Sequence, residues 1–193
     1  MTKEELRRAM RQRNRSLSVE QKRRAAERIF AAVEALPVFA QARCVACFCA
    51  LPDEPPTEVV LRRWSVDRRV VVPRVEGDTM RFYDYRPDAL TRGAFGIAEP
   101  VVGEEPNASE ADGAADVACC ALCPPEAIDL LIVPGVAFTL DGARLGRGKG
   151  YYDRYLSQTA LHAGCVGACF AHQLVADLPV EPHDRSMEIV CFG

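Results

Sequence analysis

A glycine-rich basic run at positions 144–153 constrains this chain more than any other feature. Its ten residues, Arg-Leu-Gly-Arg-Gly-Lys-Gly-Tyr-Tyr-Asp, include three glycines, three cations and one acid. The run follows an apolar stretch that ends at Pro134, and it precedes a helical pattern that begins near Tyr151. A strand, a glycine-rich loop and a helix start form an anion site, because glycines allow close backbone approach and the helix start presents free N–H groups. The run therefore predicts a phosphate site, with lysine and arginine beside the phosphate oxygens.

The basic run differs from the two common phosphate-binding motifs. A P-loop would need glycine at position 143 and serine or threonine at position 150, where this chain has Ala143 and Gly150. A dinucleotide-binding fingerprint would need a third glycine at position 151, which is Tyr151. A flexible basic surface turn is the alternative, and it is disfavoured because such turns rarely lie between a buried strand and a helix start.

Length and composition indicate one globular domain that spans residues 1–193. The hydrophobic fraction of 49% and the charged fraction of 26% are ordinary for a soluble protein. A net charge of −3 argues against a nucleic-acid partner, since nucleic-acid-binding domains usually carry strong positive charge. The chain shows neither a signal peptide nor an apolar run of membrane-spanning length. We therefore expect a cytoplasmic protein with no membrane partner. A monomer is also expected, although nothing in the composition determines the oligomeric state.

Nine cysteines introduce a metal-site alternative. Two pairs have the CxxC spacing of a zinc site, but they lie far apart in the sequence and the first falls inside a predicted strand. Burial as small hydrophobic residues is the favoured interpretation, with Cys47 and Cys49 on one strand face and Cys44 on the other. An odd number of cysteines in a chain without a secretion signal indicates that the thiols are reduced. The cysteines considered for metal are Cys44, Cys47, Cys119, Cys120 and Cys123.

Helical patterns alternate with apolar runs along the chain. Capping boxes predict two helices that begin after Thr2 and Ser18, and further helices are expected after Thr57 and from about Tyr151. Strands are predicted at 44–51, 70–72, 80–85, 130–133, 165–171 and 188–192. The pattern predicts an α/β fold with a mostly parallel central sheet and helices on both faces, in a Rossmann-like three-layer arrangement. Residues 101–128, rich in Ala, Glu and Asp, are predicted to form a flexible surface loop.

Three of the predicted strands end in proline beside distinctive residues. Glu54 follows Pro52, Arg74 follows Pro73, and the basic run follows Pro134. The carboxyl ends of parallel strands share one sheet edge, where open α/β sheets bind ligands. We therefore expect Glu54, Arg74 and the basic run to line one cleft. On the first helix, Lys3 and Arg7 share a face, which is either a solvated surface or a site for an anion between the two cations.

The basic run, preceded by Val-Pro-Gly-Val-Ala-Phe at 133–138 and by Gly142, resembles the signature of the 5-formyltetrahydrofolate cyclo-ligase family. Shorter matches in the same order extend the resemblance over nearly the whole chain, and they lie at 3–7, 53–57, 72–74, 95–100 and 183–184. Two departures stand out. The 101–128 connection is longer than expected, and Cys49 stands where family members often have another residue near the folate site.

The resemblance implies a ligase reaction. ATP would drive cyclisation of 5-formyltetrahydrofolate to 5,10-methenyltetrahydrofolate, with release of ADP and phosphate through a phosphorylated formyl intermediate. The implied cofactor is Mg²⁺, and the implied partners are the two small-molecule substrates. Phosphoryl transfer needs charge neutralisation and positioning more than covalent catalysis, which suits a cationic loop.

The resemblance also assigns roles to individual residues. Lys149 and Arg147 would be catalytic, and Asp153 and Asp184 would hold Mg²⁺. The implied ATP contacts are Lys3, Arg7, Arg144, Leu145, Gly146, Arg147, Gly148, Lys149, Gly150, Tyr151 and Tyr152. The implied folate contacts are Arg7, Cys49, Glu54, Arg147, Gly148, Lys149, Gly150 and Tyr151, with Glu54 on the polar edge of the pterin.

Two other functions remain open at the level of sequence. The first is a protein that keeps the fold and binds folate or nucleotide without turnover. The intact basic run, Glu54, Lys3, Arg7 and Asp153 argue against it, since a degenerate member would have lost some of them. The second is a cysteine-rich metal or redox protein, which stoichiometric zinc binding would reveal.

Overall fold

The fold is a three-layer α/β domain. The computed structural model describes residues 2–93, 96–103, 119–158, 160–179 and 185–193. The helices in these ranges are α1 (Lys3–Ser16), α2 (Val19–Glu34), α3 (Pro37–Gln41), α4 (Glu58–Trp64) and α5 (Tyr151–Leu156). The strands are β1 (Cys44–Ala46), β2 (Arg69–Glu76), β3 (Thr79–Asp84), β4 (Leu90–Arg92), β5 (Ala98–Pro100), β6 (Leu122–Cys123), β7 (Leu130–Pro134), β8 (Ala137–Phe138), β9 (Arg144–Leu145), β10 (Gly164–Cys169) and β11 (Ile189–Phe192).

Seven strands form the central sheet in the order β11-β10-β7-β1-β2-β3-β6. The five strands from β11 to β2 are parallel, and β3 and β6 add an antiparallel edge. The predicted mostly parallel sheet is therefore confirmed. Its strands differ in length from the prediction, because β1 ends at Ala46 and β2 continues to Glu76 in a hairpin with β3.

Local sequence explains where the two long helices begin. At the start of α1 the Thr2 hydroxyl accepts a hydrogen bond from the Glu5 N–H, and the Glu5 carboxylate accepts one from the Thr2 N–H. Ser18 and Gln21 form the same reciprocal pair at the start of α2. Both capping boxes are confirmed, and each gives partners to two backbone N–H groups that a helix start would otherwise leave without them.

Alternating side chains of the parallel strands fill two cores. On one face, Val45 and Ile132 pack with residues of α2 and α4 such as Ile29 and Trp64. The opposite face is covered mainly by α5, and by Phe138 of β8. Helices on both faces were predicted, and so was the partition of the cysteines, since Cys47 and Cys49 lie in the first core and Cys44 in the second. Among the described residues, no helix is long and apolar enough to cross a membrane.

Sequence reasoning missed the short elements α3, β4, β5, β6, β8 and β9. The five-residue helix α3 is too short to show a helical period, although Pro37 stands at its favoured first position. The surface-loop prediction for 101–128 is wrong for residues 119–128. There β6 pairs with β3, and Cys120, Cys123 and Ile128 are buried. Residues 104–118 lie outside the described part of the chain.

A buried ion pair holds the ends of the basic run together. Arg144 in β9 donates through Nη2 to the Asp153 carboxylate in the first turn of α5, and through Nη1 to the Pro134 carbonyl at 3.3 Å. The Arg144 side chain is 3% exposed and that of Asp153 is 25% exposed. Between them, Gly148 and Gly150 adopt positive φ angles of 94° and 70°, which favour glycine. The ion pair therefore fixes the exit of β7, the ribbon β8–β9 and the start of α5 relative to one another.

We expect Asp153→Asn to lower the free energy of unfolding by about 2 kcal/mol. The substitution leaves the buried Arg144 charge without compensation, and the partial exposure of Asp153 limits the loss. Urea denaturation in metal-free buffer measures the change. Asp141→Asn is the matched control, because Asp141 is exposed in the turn of the same ribbon. If both variants stay within about 0.5 kcal/mol of the parent protein, the ion pair does not stabilise the fold.

Candidate active site

A cavity of about 510 Å³ opens at the carboxyl edge of the parallel strands. Its walls come from the segment after β1, from β2, from the end of β7 and from the basic run. The volume falls in the range of small-molecule sites. Glu54 and the basic run lie together in this cavity, as the strand ends predicted. Arg74 does not line it, because its guanidinium donates to the Pro100 carbonyl of β5 at 2.7 Å.

The cavity brings together ten of the residues proposed from the sequence, and several others lie outside its lining. Those that line it are Cys49, Glu54, Arg144, Gly146, Arg147, Lys149, Gly150, Tyr151, Tyr152 and Asp153. Those that do not are Lys3, Arg7, Leu145 and Gly148. Leu145 is buried in a separate cluster with Leu6 and Met10, where its side chain packs α1 against the ribbon β8–β9. Asp184 lies outside the described residues.

Arg147 is bound by two adjacent carboxylates. Its terminal nitrogens donate to both oxygens of Asp53, with Nη2–Oδ1 at 2.8 Å and Nη1–Oδ2 at 3.2 Å. Its Nε donates to Glu54 Oε1 at 2.8 Å. The Asp53 and Glu54 side chains are 9% and 7% exposed, so both carboxylates are shielded from water, while the Arg147 side chain is 31% exposed. The guanidinium thus joins the basic run to the acidic segment in an arrangement that the sequence did not predict.

Glu54 is held in place from both of its oxygens. Oε2 accepts the Leu51 N–H at 2.9 Å, while Oε1 accepts Arg147 Nε. Burial raises the pKa of Glu54 above its ordinary value of 4.5, and the charge of Arg147 opposes the rise. A buried carboxylate whose hydrogen-bond partners are fixed is suited to recognise a flat N–H-bearing edge of a ligand.

The second half of α1 lies against the acidic segment. Asn14 donates through Nδ2 to the Asp53 carbonyl at 2.9 Å, and its Oδ1 lies 2.5 Å from His172 Nε2. Burial lowers the pKa of His172, which favours the neutral imidazole. This contact places two exposed arginines, Arg11 and Arg15, in the lining of the cavity. Their spacing of four residues on a helix continues the Lys3–Arg7 stripe, which was the available signal in the sequence.

Arg7 shapes the basic run from outside the cavity. Its Nε donates to the Gly146 carbonyl at 2.9 Å, and its guanidinium lies close to Gly148, where an added Cβ would meet the Arg7 Cζ at 3.5 Å. Lys149, by contrast, is exposed and lines the cavity. Of the predicted cations that line the cavity, Lys149 is the one whose side chain is exposed.

Tyr152 lines the cavity and has an unpaired hydroxyl. Its Oη is buried and has no hydrogen-bond partner in the described part of the chain. Burial raises the pKa of Tyr152 well above its ordinary value, with Glu54 as the next cause, so the hydroxyl stays protonated and lies near that carboxylate. Buried polar groups are normally hydrogen-bonded, and an unpaired group in a residue beside a cavity indicates a place for a ligand atom or water. Tyr151 also lines the cavity and donates to the Gly77 carbonyl at 3.3 Å.

The cysteines do not assemble a metal site within the described ranges. Cys44 and Cys123 approach each other, with Sγ atoms 3.9 Å apart, but Cys47 packs on the other face of the sheet. The described residues contain no group of three or more His, Cys, Asp and Glu side chains that could hold a metal ion. Cys49 lines the cavity, and burial raises the pKa of its thiol to about 12, so it is a neutral wall residue.

Comparisons with known proteins agree with the geometry. The sequence profile of the 5-formyltetrahydrofolate cyclo-ligase family matches residues 1–193. An Escherichia coli protein named 5-formyltetrahydrofolate cyclo-ligase is 31% identical, with 94% of both chains covered. A mouse protein of the same name is 27% identical over 97% of this chain and 91% of its own. The solution structure of 5,10-methenyltetrahydrofolate synthetase from Aquifex aeolicus has a TM-score of 0.81 at 33% identity and covers 100% of this chain and 90% of its own.

The match spans the whole chain, and the solved relative shares its fold at an identity that supports common descent. It includes the basic run, the Asp53-Glu54 segment and the strand that precedes each of them. This chain belongs to the 5-formyltetrahydrofolate cyclo-ligase family.

Proposed function

We propose that this protein catalyses the ATP-dependent cyclisation of 5-formyltetrahydrofolate to 5,10-methenyltetrahydrofolate, with release of ADP and phosphate. The observation that supports the proposal best is a single cavity that contains both the glycine-rich basic run and the buried Glu54. One wall suits a phosphate chain and the other suits the polar edge of a pterin. A reaction between the two substrates requires both of them in the same enclosed space.

The nucleotide side of the cavity is formed by the basic run. Lys149 supplies an exposed charge, and the glycines at 146 and 150 let the backbone come close to phosphate oxygens. Arg7 supports the run from behind through the Gly146 carbonyl. Lys149 is thus the residue that neutralises charge on the transferring phosphoryl group, while Arg7 keeps the loop in shape.

The folate side is formed by Glu54 and Tyr152. A reduced pterin presents an amino group and a ring N–H along one edge, and the Glu54 carboxylate can accept hydrogen bonds from both. The Tyr152 hydroxyl, which has no partner in the described part of the chain, can bond to another polar atom of the same ring system. Phe48, Leu51 and Ile97 supply the apolar surface that packs against the rest of the substrate.

A magnesium ion fits the donor set at the start of α5. Asp153 lines the cavity and is a quarter exposed, and only one of its oxygens is engaged by Arg144 in the described residues. Mg²⁺ needs few protein carboxylates when phosphates and water complete its coordination, so one carboxylate is sufficient from this side. Asp184 is proposed as a second ligand by family resemblance. When bound, the ion would neutralise charge on the phosphate oxygens.

The chemistry consists of two displacements. The formyl oxygen attacks the γ-phosphorus of ATP, the bond to the bridging oxygen breaks, and ADP leaves. N10 then adds to the activated formyl carbon, loses its proton, and the carbon–oxygen bond to phosphate breaks to release phosphate and close the five-membered ring. The protein supplies no covalent intermediate in this scheme. Its contribution is to hold the formyl oxygen near the phosphoryl group and to stabilise negative charge there.

Turnover tests the proposal. Purified protein should form methenyl-folate, measured by its absorbance, only when both ATP and Mg²⁺ are present, and chelation of the ion should stop the reaction. Lys149→Ala should lower the ATP-dependent rate at least about tenfold, because one charged contact to a transferring phosphate is worth a few kcal/mol.

Arg8→Ala is the control for Lys149, since Arg8 is an exposed cation outside the cavity. Both variants should keep the melting temperature of the parent protein. Product formation at the same rate without nucleotide would contradict the proposed reaction. An unchanged rate in the folded Lys149 variant would remove this lysine from the phosphate site.

Arg11 and Arg15 are placed to bind the other end of the folate. Neither has a carboxylate partner among the described residues, and both line the cavity beside the segment that carries Glu54. The substrate ends in a glutamate with two carboxylates. With the pterin at Glu54, this tail points out of the cavity, where exposed cations can meet it.

We therefore expect the double variant Arg11→Gln/Arg15→Gln to raise the KM for 5-formyltetrahydrofolate at least about threefold, since each exposed ion pair is worth up to about 1 kcal/mol. The KM for ATP should change by less than about twofold. Steady-state kinetics with each substrate varied in turn measures both values, and Arg8→Gln on the same helix is the control. A rise in the KM for ATP alone would place the phosphate chain at these arginines instead.

A further inference from the structure

The ion pair between Arg147 and Glu54 occupies groups that both proposed substrates would use, so the two substrates are not expected to bind independently. Glu54 Oε1 accepts Arg147 Nε, and Oε2 accepts the Leu51 N–H. A pterin edge that donates an N–H group to Oε1 competes there with Arg147 Nε. Asp53 takes one N–H of each terminal nitrogen, and the Nε–H that faces Glu54 is one of the donors that Arg147 can offer to an oxyanion on that side.

Asp53 can keep the guanidinium in place while Nε changes partner. It binds Nη1 and Nη2 with both oxygens, which is the strong bidentate geometry of arginine and carboxylate. Its own backbone is fixed by Asn14 through the carbonyl. Loss of the Glu54 contact therefore removes one of three hydrogen bonds to Arg147 and leaves the guanidinium beside the basic run.

We propose that the Arg147–Glu54 ion pair is exchanged when substrates bind, and that this exchange couples folate binding to nucleotide binding with positive sign. The pterin replaces Arg147 Nε at Glu54, and a phosphoryl or formyl oxygen replaces Glu54 at Arg147 Nε. Each substrate thereby removes a competitor of the other. This inference rests on the proposed function, because it assumes a pterin at Glu54 and a phosphate chain at the basic run.

The burial of Glu54 makes opening of the ion pair unfavourable and determines the sign of the coupling between the two substrates. The Arg147 side chain is 31% exposed and can be partly solvated when the pair opens, whereas Glu54 is 7% exposed and cannot turn to water. A charge left without a partner in such a place is unfavourable. One substrate alone leaves one of the two groups short of a hydrogen bond, whereas both substrates together satisfy Glu54 and Arg147 at once. The expected result is a higher affinity for each substrate when the other is bound.

Isothermal titration calorimetry tests the proposal without turnover. The dissociation constant of 5-formyltetrahydrofolate is measured with and without a saturating concentration of the non-hydrolysable analogue β,γ-imido-ATP and Mg²⁺. The parent protein should bind folate at least about fivefold more tightly with the analogue present, which is the lower end of ordinary coupling between sites. Titration of the analogue with and without folate should give the same factor, because coupling is reciprocal.

Glu54→Gln and Arg147→Gln each remove one member of the exchanged pair, and in both the coupling factor should fall to within about twofold of one. Arg69→Gln is the control. It breaks a surface arginine–aspartate pair, with Arg69 Nε and Asp84 Oδ1 2.7 Å apart, that does not line the cavity, and it should keep the coupling factor of the parent protein. If Glu54→Gln binds folate too weakly to titrate, the coupling factor is obtained by titrating the ATP analogue with and without a high concentration of folate. Arg147→Gln then provides a second, independent value of the coupling factor.

Two results would overturn the exchange. One is a parent protein whose two affinities are independent, and the other is a coupling factor that both variants retain. A failure of the proposed function is a different observation, namely no ATP-dependent product in the absorbance assay. Binding of both ligands with strong coupling but no turnover would leave the exchange intact and contradict the proposed catalysis.

Discussion

The bond between Arg147 and the two carboxylates of Asp53 and Glu54 is the interaction on which the rest of the site depends. The partners are more than ninety positions apart in the sequence, with separations of 94 and 93 residues. One belongs to the segment after β1 and the other to the loop after β9. Their ion pairs bring the acidic wall and the basic wall of the cavity into one space, and burial makes this arrangement costly to break.

The sheet explains why these two segments meet. In a parallel sheet the carboxyl ends of β1 and β7 emerge at the same edge, and these two strands are direct neighbours. The ion pair of Arg144 with Asp153 then holds the basic run at this edge, where the exposed Lys149 lines the cavity. Hydrophobic packing therefore positions the walls, and two arginines determine what each wall presents to a ligand.

Much of this could be predicted from the sequence because the signals are local. The capping boxes at Thr2 and Ser18 involve residues three positions apart, and the apolar run at 130–133 identifies β7 without any knowledge of its neighbours. The proline-terminated strands placed Glu54 in the same cleft as the basic run. The resemblance to a known family supplied the reaction, which the described side chains alone suggest only in outline.

The remaining features depend on pairing at long range. Arg147 and Arg144 look alike in the sequence, yet one binds the acidic segment and the other is buried against Asp153. Arg74 follows a proline in the same way as Glu54, but the strand continues through it and directs its side chain to Pro100. The edge strand β6 could not be predicted from the sequence, because its two residues form a strand only by pairing with β3. Periodicity carries no information about such partners.

A crystal structure with 5-formyltetrahydrofolate and β,γ-imido-ATP bound together tests the central claim most directly. The account predicts both ligands in the one cavity, with the pterin edge on Glu54, the terminal phosphate beside Lys149, and Arg147 still joined to Asp53 through its terminal nitrogens. Electron density for the pterin at the basic run, or for the two ligands in separate cavities, would contradict it.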